Sequence, residues 1–130
     1  MNELEFRAWI PRLRQFYVWG FGVDNNGSFF TAPPSDVTAI SQQYIGSRDK
    51  DGSKIYVGDI VTHPLCVKEP HDAKEPCENF VGLIQYEADR GQYFAVNRKR
   101  NGYVIAMTEA YKFKIIGNIF ESPELLVEKK

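Results

Sequence analysis

The sequence predicts a mainly β protein, a small antiparallel barrel or sandwich, on three observations. Aromatic residues make up 14% of the 130 residues, and rings fit the half-buried pleated surface of a sheet. Apolar and polar residues alternate in short runs, the period of a strand. Turn signals recur at short intervals: Asp24-Asn25-Asn26-Gly27, Asp51-Gly52, Gly58-Asp59, Ala88-Asp89-Arg90-Gly91 and Asn101-Gly102. Such spacing suits hairpins and leaves little room for the crossover helices of βαβ units. The length fits one domain with a small appended lobe.

Taken in order, Glu5 to Ile10 reads as a strand with Phe6, Ala8 and Ile10 on one face and Arg7 and Trp9 on the other. Pro11 ends it. Gln15 to Phe21 is a dense aromatic strand, and Ser28 to Ala32 returns beyond the Asn-rich turn. Pro33-Pro34-Ser35 breaks this meander and predicts a boundary between an N-terminal lobe over residues 1–35 and a second unit over 36–130. The densest stretch follows. Tyr44 to Val61 holds two tight turns around the apolar pair Ile55-Tyr56, and this spacing calls for a compact strand–turn–strand–turn–strand unit. The strand from Ile60 is expected to stop at Pro64, and the Pro-rich segment from Pro64 to Glu78 reads as a long surface loop.

Asn79 to Glu87, Gln92 to Val96 and Tyr103 to Met107 read as strands joined by hairpin turns, the second turn being the basic run Asn97 to Gly102. Thr108 to Tyr111 is expected to form one helical turn. Lys112 to Phe120 reads as the last strand, with Gly117 marking a bulge or a close backbone approach. Ser122 as N-cap, Pro123 at the first helical position and Glu124 in the first turn predict a short C-terminal helical turn.

Composition narrows the function classes. The formal net charge is −1, so no bulk electrostatic pull toward nucleic acid or a membrane is expected. No apolar run approaches the roughly 18 residues that span a bilayer. The opening MNELEF lacks the apolar stretch of a secretory signal, which predicts a cytoplasmic protein. Cys66 and Cys77 are then expected as free thiols or metal ligands.

Four segments together resemble the YopX family of small bacteriophage and prophage proteins. Phe6-Arg7-Ala8-Trp9 matches the family's opening FRAW, and Gln43 to Gly52 with Ile55 to Val61 matches its pattern QYTGLKDKNGKEIYEGDIV. Gly82 to Tyr86 resembles a strand of the type GxVxY, and Ile116 to Phe120 with Pro123 to Leu126 matches the closing IGNIYENPELL. Ser47 departs from a usual apolar residue, and the 64–78 loop is not a family constant. The resemblance implies an SH3-like β-barrel over 36–130, a homo-oligomer, a bacterial host cytoplasm and no enzymatic activity, since no catalytic residues are established for the family.

Candidate chemistry is sparse. His63, Cys66, His71 and Cys77 fall close together and offer the four N and S ligands that zinc takes. Only His63 and Cys66 have knuckle spacing, and prolines interrupt the set, so the primary expectation is no cofactor, with a zinc-stabilised loop as an alternative. Asp49 and Asp51 begin like a calcium loop, but Ile60 stands where the bidentate Glu belongs, so a reversal of the chain explains them better. Arg98, Lys99 and Arg100, flanked by Phe94 and Tyr103, form the patch for a nucleic-acid-binding barrel, to which Arg48, Lys50 and Lys54 would add. No catalytic triad, P-loop or dinucleotide fingerprint is present. The aromatic meander carries more apolar surface than three short strands bury. The expected role is therefore a non-enzymatic binding or assembly module, partnered by itself or by a host or phage protein.

Overall fold

A computed structural model describes residues 3–24, 27–68, 78–97 and 103–126. Ten strands lie among the described residues: β1 (Glu3–Ile10), β2 (Gln15–Asp24), β3 (Gly27–Thr31), β4 (Ile40–Arg48), β5 (Lys54–Tyr56), β6 (Asp59–Lys68), β7 (Glu78–Glu87), β8 (Gln92–Asn97), β9 (Tyr103–Ala106) and β10 (Lys114–Asn118). They form two antiparallel five-stranded sheets, in the orders β3-β2-β1-β4-β5 and β10-β6-β7-β8-β9. The mainly β expectation holds, and helix among the described residues is confined to two 3-10 turns, Met107–Lys112 and Pro123–Leu126.

The first sheet draws strands from both sides of Pro33-Pro34-Ser35. β1 pairs with β2 on one edge, Trp9 opposite Phe16. On its other edge it pairs with β4, Arg7 opposite Gln42. Alternation then sorts the side chains. Glu5, Arg7, Trp9, Phe16 and Gln42 share the face turned toward the second sheet. Leu4, Phe6, Tyr17, Trp19 and Ser41 share the outer face.

The β4–β5 hairpin turns on Asp49. Its Oδ1 accepts the backbone N–H of Asp51 at 3.0 Å and of Ser53 at 2.9 Å. Its Oδ2 accepts the N–H of Ile115, on β10, at 3.1 Å. Lys50 N–H donates to the Phe113 carbonyl at 2.9 Å. The turn thus shields part of the β10 edge, which would otherwise present unpaired backbone groups. This is why an aspartate stands here: its carboxylate serves the chain reversal.

Two strand ends differ markedly from the sequence expectation. β6 runs past Pro64 to Lys68, with register shifts between His63 and Cys66 and again before Lys68. A bulge accommodates a residue that cannot donate to the ladder, so Pro64 bends the strand without ending it. The expected 64–78 loop is thereby shortened at its start, and residues 69–77 of it lie outside the described residues. The last strand stops at Asn118, short of Phe120. Asn118 Oδ1 accepts the N–H groups of Phe120 and Glu121, each at 3.0 Å, and the chain turns there. Both expected helical turns are present and wind as 3-10 turns. Gly117 behaves as expected. The register shifts beside it, and a Cβ there would lie 2.8 Å from that of Ser122.

The main core is built on the second sheet, with Ile55 of β5 and the first 3-10 turn packed against it. Ile55, Val61, Phe80, Ile84, Ala95, Met107, Ala110 and Phe113 form one buried cluster. Burying each of the larger side chains contributes about 1.5–3 kcal/mol. Ile45 and Ile115 pack against the cluster from β4 and β10.

Burial pushes the Asp49 carboxyl up, but its three backbone hydrogen bonds outweigh that and set its pKa below the usual 3.8. Such a group stabilises the fold above its unfolded pKa, and the contribution is lost as pH falls through the folded one. Asp49→Asn is expected to cost about 1–3 kcal/mol at neutral pH. Urea denaturation across the acid range should show the gap from wild type closing below about pH 4; a gap independent of pH would refute the assignment.

Candidate functional site

The most highly structured polar site is the junction between the sheets. Arg7 lies on the inner parity of β1, among Trp9 and Phe16, and is buried. Its Nη1 meets Asp59 Oδ1 at 2.7 Å. Its Nε donates to Gln42 Oε1 at 2.9 Å. The guanidinium also lies against two ring faces, 4.4 Å from the Phe16 centroid and 4.9 Å from that of Tyr56. Nη2 is buried with no hydrogen-bond partner among the described residues; the rings supply cation–π attraction around it.

Asp59 opens β6 and is almost fully enclosed. Its Oδ2 accepts the Tyr56 N–H at 2.8 Å, closing the β5–β6 turn. Burial pushes its carboxyl pKa up, and the pull of Arg7 and the Tyr56 N–H does not cancel that. Tyr56 extends the network: its hydroxyl donates to Glu5 Oε2, and Lys54 Nζ meets Glu5 Oε1 at 2.8 Å. Burial and then the Glu5 carboxylate raise the Tyr56 pKa far above the ordinary phenol value, so it stays a donor.

Gly58 makes the crossing possible. It has φ +96°, and a Cβ there would overlap the Gln42 amide. Its N–H donates to the Ile84 carbonyl and its carbonyl accepts from Ile119 N–H, both at 2.9 Å. One turn therefore bonds to β7 and to the C-terminal segment while Gln42 packs over it. Past Asn118 that segment delivers Phe120 onto Trp9, the rings parallel with centroids 5.2 Å apart.

The other feature is the outer face of the first sheet. Phe6 and Trp19 stack with centroids 4.4 Å apart, and Trp19 Nε1 donates to Ser41 Oγ at 3.0 Å. Leu4 and Tyr17 on the same face remain 38% and 39% exposed, so much of this apolar surface meets solvent.

The residues singled out from sequence fall as follows. His63 sits on β6 with its ring 4.7 Å from Phe113. Burial, then Lys112, lowers its pKa, against Glu109. Cys66 stands on β6 opposite Asn79. His71, Cys77, Arg98, Lys99 and Arg100 lie outside the described residues. Among the described residues no three His, Cys, Asp or Glu side chains gather as a metal site. Of the added basic residues, Lys54 joins the Glu5 network and Arg48 donates to the Gly52 carbonyl at 2.8 Å. Two surface depressions, of about 230 Å³ beside Tyr93 and about 190 Å³ beside Arg90, are smaller than the cavities that usually hold small ligands.

Sequence reasoning missed the junction. Arg7 and Asp59 stood out there only as strand, turn and motif residues, and Gln42 did not stand out at all. The usable signal was Arg7 sharing the parity of Trp9, since a charge on an apolar face requires a buried partner.

The fold and the junction define a class: a two-sheet antiparallel β protein whose sheets are pinned by a buried ion pair. The chain belongs to the YopX family, whose model, described as YopX protein, matches residues 23–127. Two solved structures are similar. Protein EF1440 from Enterococcus faecalis superposes with a TM-score of 0.57 at 19% identity, covering 95% of this chain and 98% of that one. Protein YopX from Bacillus subtilis gives 0.53 at 17% identity, with 97% and 98% covered. At these identities the likeness is one of fold. No curated protein matches the chain, and no helix among the described residues is long and apolar enough to cross a membrane.

Removing one partner of a buried pair strands the other. Arg7→Met is therefore expected to lower the unfolding free energy by about 3–5 kcal/mol. Arg7→Met combined with Asp59→Leu, apolar on both sides, should recover most of that loss in urea denaturation. A double variant no more stable than Arg7→Met would refute the ion-pair account.

Proposed function

We propose that this chain is a non-enzymatic binding or assembly module whose working surface is the outer face of the first sheet. The observation that carries this reading is the asymmetry of that sheet. Its inner face is occupied around Arg7 and Trp9 by the Arg7–Asp59 junction and by Phe120, with Val18 and Ile40 on that parity 52% and 50% exposed toward the rim. Its outer face bears the Phe6–Trp19 stack with Leu4 and Tyr17 part-exposed beside it. An amphipathic sheet face is stabilised by cover, and a rigid, ring-rich patch fits protein contact: rings bring large area at low conformational cost. The partner class is protein.

Family membership supports a phage or prophage origin and action inside the bacterial cell. The second sheet supports an SH3-like reading of its own. β6 to β9 run as a meander, β10 returns to pair with β6, and a 3-10 turn precedes that last strand.

The test is photo-crosslinking in the producing cell from benzoylphenylalanine placed at Tyr17, with the same probe at exposed Tyr111 as reference. A discrete protein adduct from position 17 and not from 111 is expected. An adduct pattern at 17 no different from that at 111 would remove the reading.

A further inference from the structure

The geometry points to a second working surface, separate from the outer face: a binding site for single-stranded nucleic acid where the β4–β5 turn meets Tyr111 to Lys114. Arg48, Lys50, Lys112 and Lys114 hold phosphates there, and Tyr111 stacks on a base. The fold creates this grouping. Lys50 N–H donates to the Phe113 carbonyl at 2.9 Å, and Asp49 Oδ2 accepts the Ile115 N–H at 3.1 Å. Two stretches far apart in sequence are thereby laid side by side, and each brings cations. Arg48, Lys50, Lys112 and Lys114 are all exposed. Tyr111, next to Lys112, is 63% exposed.

Lysines on a sheet edge often serve only to repel a foreign strand. Here the turn already occupies the β10 edge at Phe113 and Ile115, so that stretch of backbone needs no charged guard. Nor are the cations spent inside the molecule. Among the described residues, the Lys50 and Lys114 side chains make no hydrogen bond or ion pair. Arg48 donates to a neutral carbonyl, that of Gly52, and Lys112 meets Glu109. Asp49 is buried in their midst and accepts three backbone N–H groups. Four exposed cations then face two exposed carboxylates, Asp51 and Glu109. The net charge of −1 excludes a bulk pull on a polyanion and leaves this local one. The exposed ring selects among anions. It can stack on any unpaired base, whereas a duplex closes its bases to it. An acidic protein segment would meet the same cations and leave the ring unused.

Fluorescence anisotropy of the full chain with a labelled oligothymidylate of about ten nucleotides tests the site. Binding at low salt is expected, with log affinity falling against log salt at a slope of about −2 to −3. Lys50→Gln with Lys114→Gln is expected to make that slope shallower by about 1.4. Arg48→Gln with Lys112→Gln carries the same test should the first pair unfold. Tyr111→Ala is expected to weaken binding about tenfold at an unchanged slope, the signature of a lost stack. Arg12→Gln, at the other end of the first sheet, should change neither. No binding at low salt would overturn the proposal, as would a slope that neither double variant moves. Polyglutamate bound as well as the oligonucleotide, with Tyr111→Ala silent, would assign the patch to an acidic protein and overturn it. So would binding lost only when Arg98, Lys99 and Arg100 are replaced by Gln, which places the contact on that basic turn. Crosslinking from position 17 reports on the outer face, so either surface can fail without the other.

Discussion

The fold depends on a charge held where water cannot reach it. Arg7 and Asp59 come from different sheets, and each would be costly to bury alone. Together they satisfy one another across 2.7 Å, and their neighbours are chosen to the same end. Gln42 accepts from the Nε, the Tyr56 N–H fills the second carboxylate oxygen, and two ring faces cover the cation. Burial still presses on Asp59, as the upward direction of its pKa records. A well-packed apolar contact would often be as stable, so the ion pair is better understood as setting register. A one-residue slip of β1 would carry Arg7 to the outer face and leave Asp59 buried without a counter-charge.

The other sheet-to-sheet ties are built on that register. Gly58, next to Asp59, places its backbone against β7 and the C-terminal segment while Gln42 lies over it. Asp49 reaches the backbone of β10 from the neighbouring hairpin. Phe120 completes the set by stacking on Trp9, two residues along β1 from Arg7. These contacts join segments distant in sequence, and each depends on a polar or aromatic group in one orientation. The apolar cluster around Phe80 and Phe113 supplies the larger share of stability; the polar ties fix how the first sheet sits on it.

Much of this was legible in the sequence because it was local. Alternation marked the strands, and Asp-Gly and Gly-Asp marked the turns. Gly117 marked a bulge or a close backbone approach, and it makes both. What was not legible was non-local. Pro64 looked like a stop because a proline removes a ladder hydrogen bond. Whether the partner strand tolerates that loss depends on β7, which lies far along the chain. Lys112 to Phe120 looked like one strand because its apolar pattern continues. The side chain of Asn118 ends it by capturing two N–H groups, an outcome that hydrophobic periodicity does not encode. Arg7 and Asp59 stand far apart in the chain, and no local pattern pairs them.

This division explains why the family resemblance conveyed so much about the fold and so little about activity. The segments that carried it are those that build the junction. FRAW supplies Arg7 and Trp9, and the long central motif supplies Asp49, Tyr56, Gly58 and Asp59. The closing motif supplies Gly117, Asn118 and Phe120. Their chemistry is spent inside the molecule: the carboxylates accept backbone and guanidinium hydrogens, the tyrosine donates to Glu5, and the glycines permit close approach. Groups satisfied in this way are poorly placed to act on a substrate. Surface chemistry must come from residues the junction does not use. On the first sheet, that means the outer parity of the same strands. Each outer residue there is held in place by an inner neighbour that register has fixed. The polar knot and the neutral face are thus two consequences of one alternation, because drawing Glu5 and Arg7 inward leaves Leu4, Phe6, Ala8 and Ile10 on the outward side.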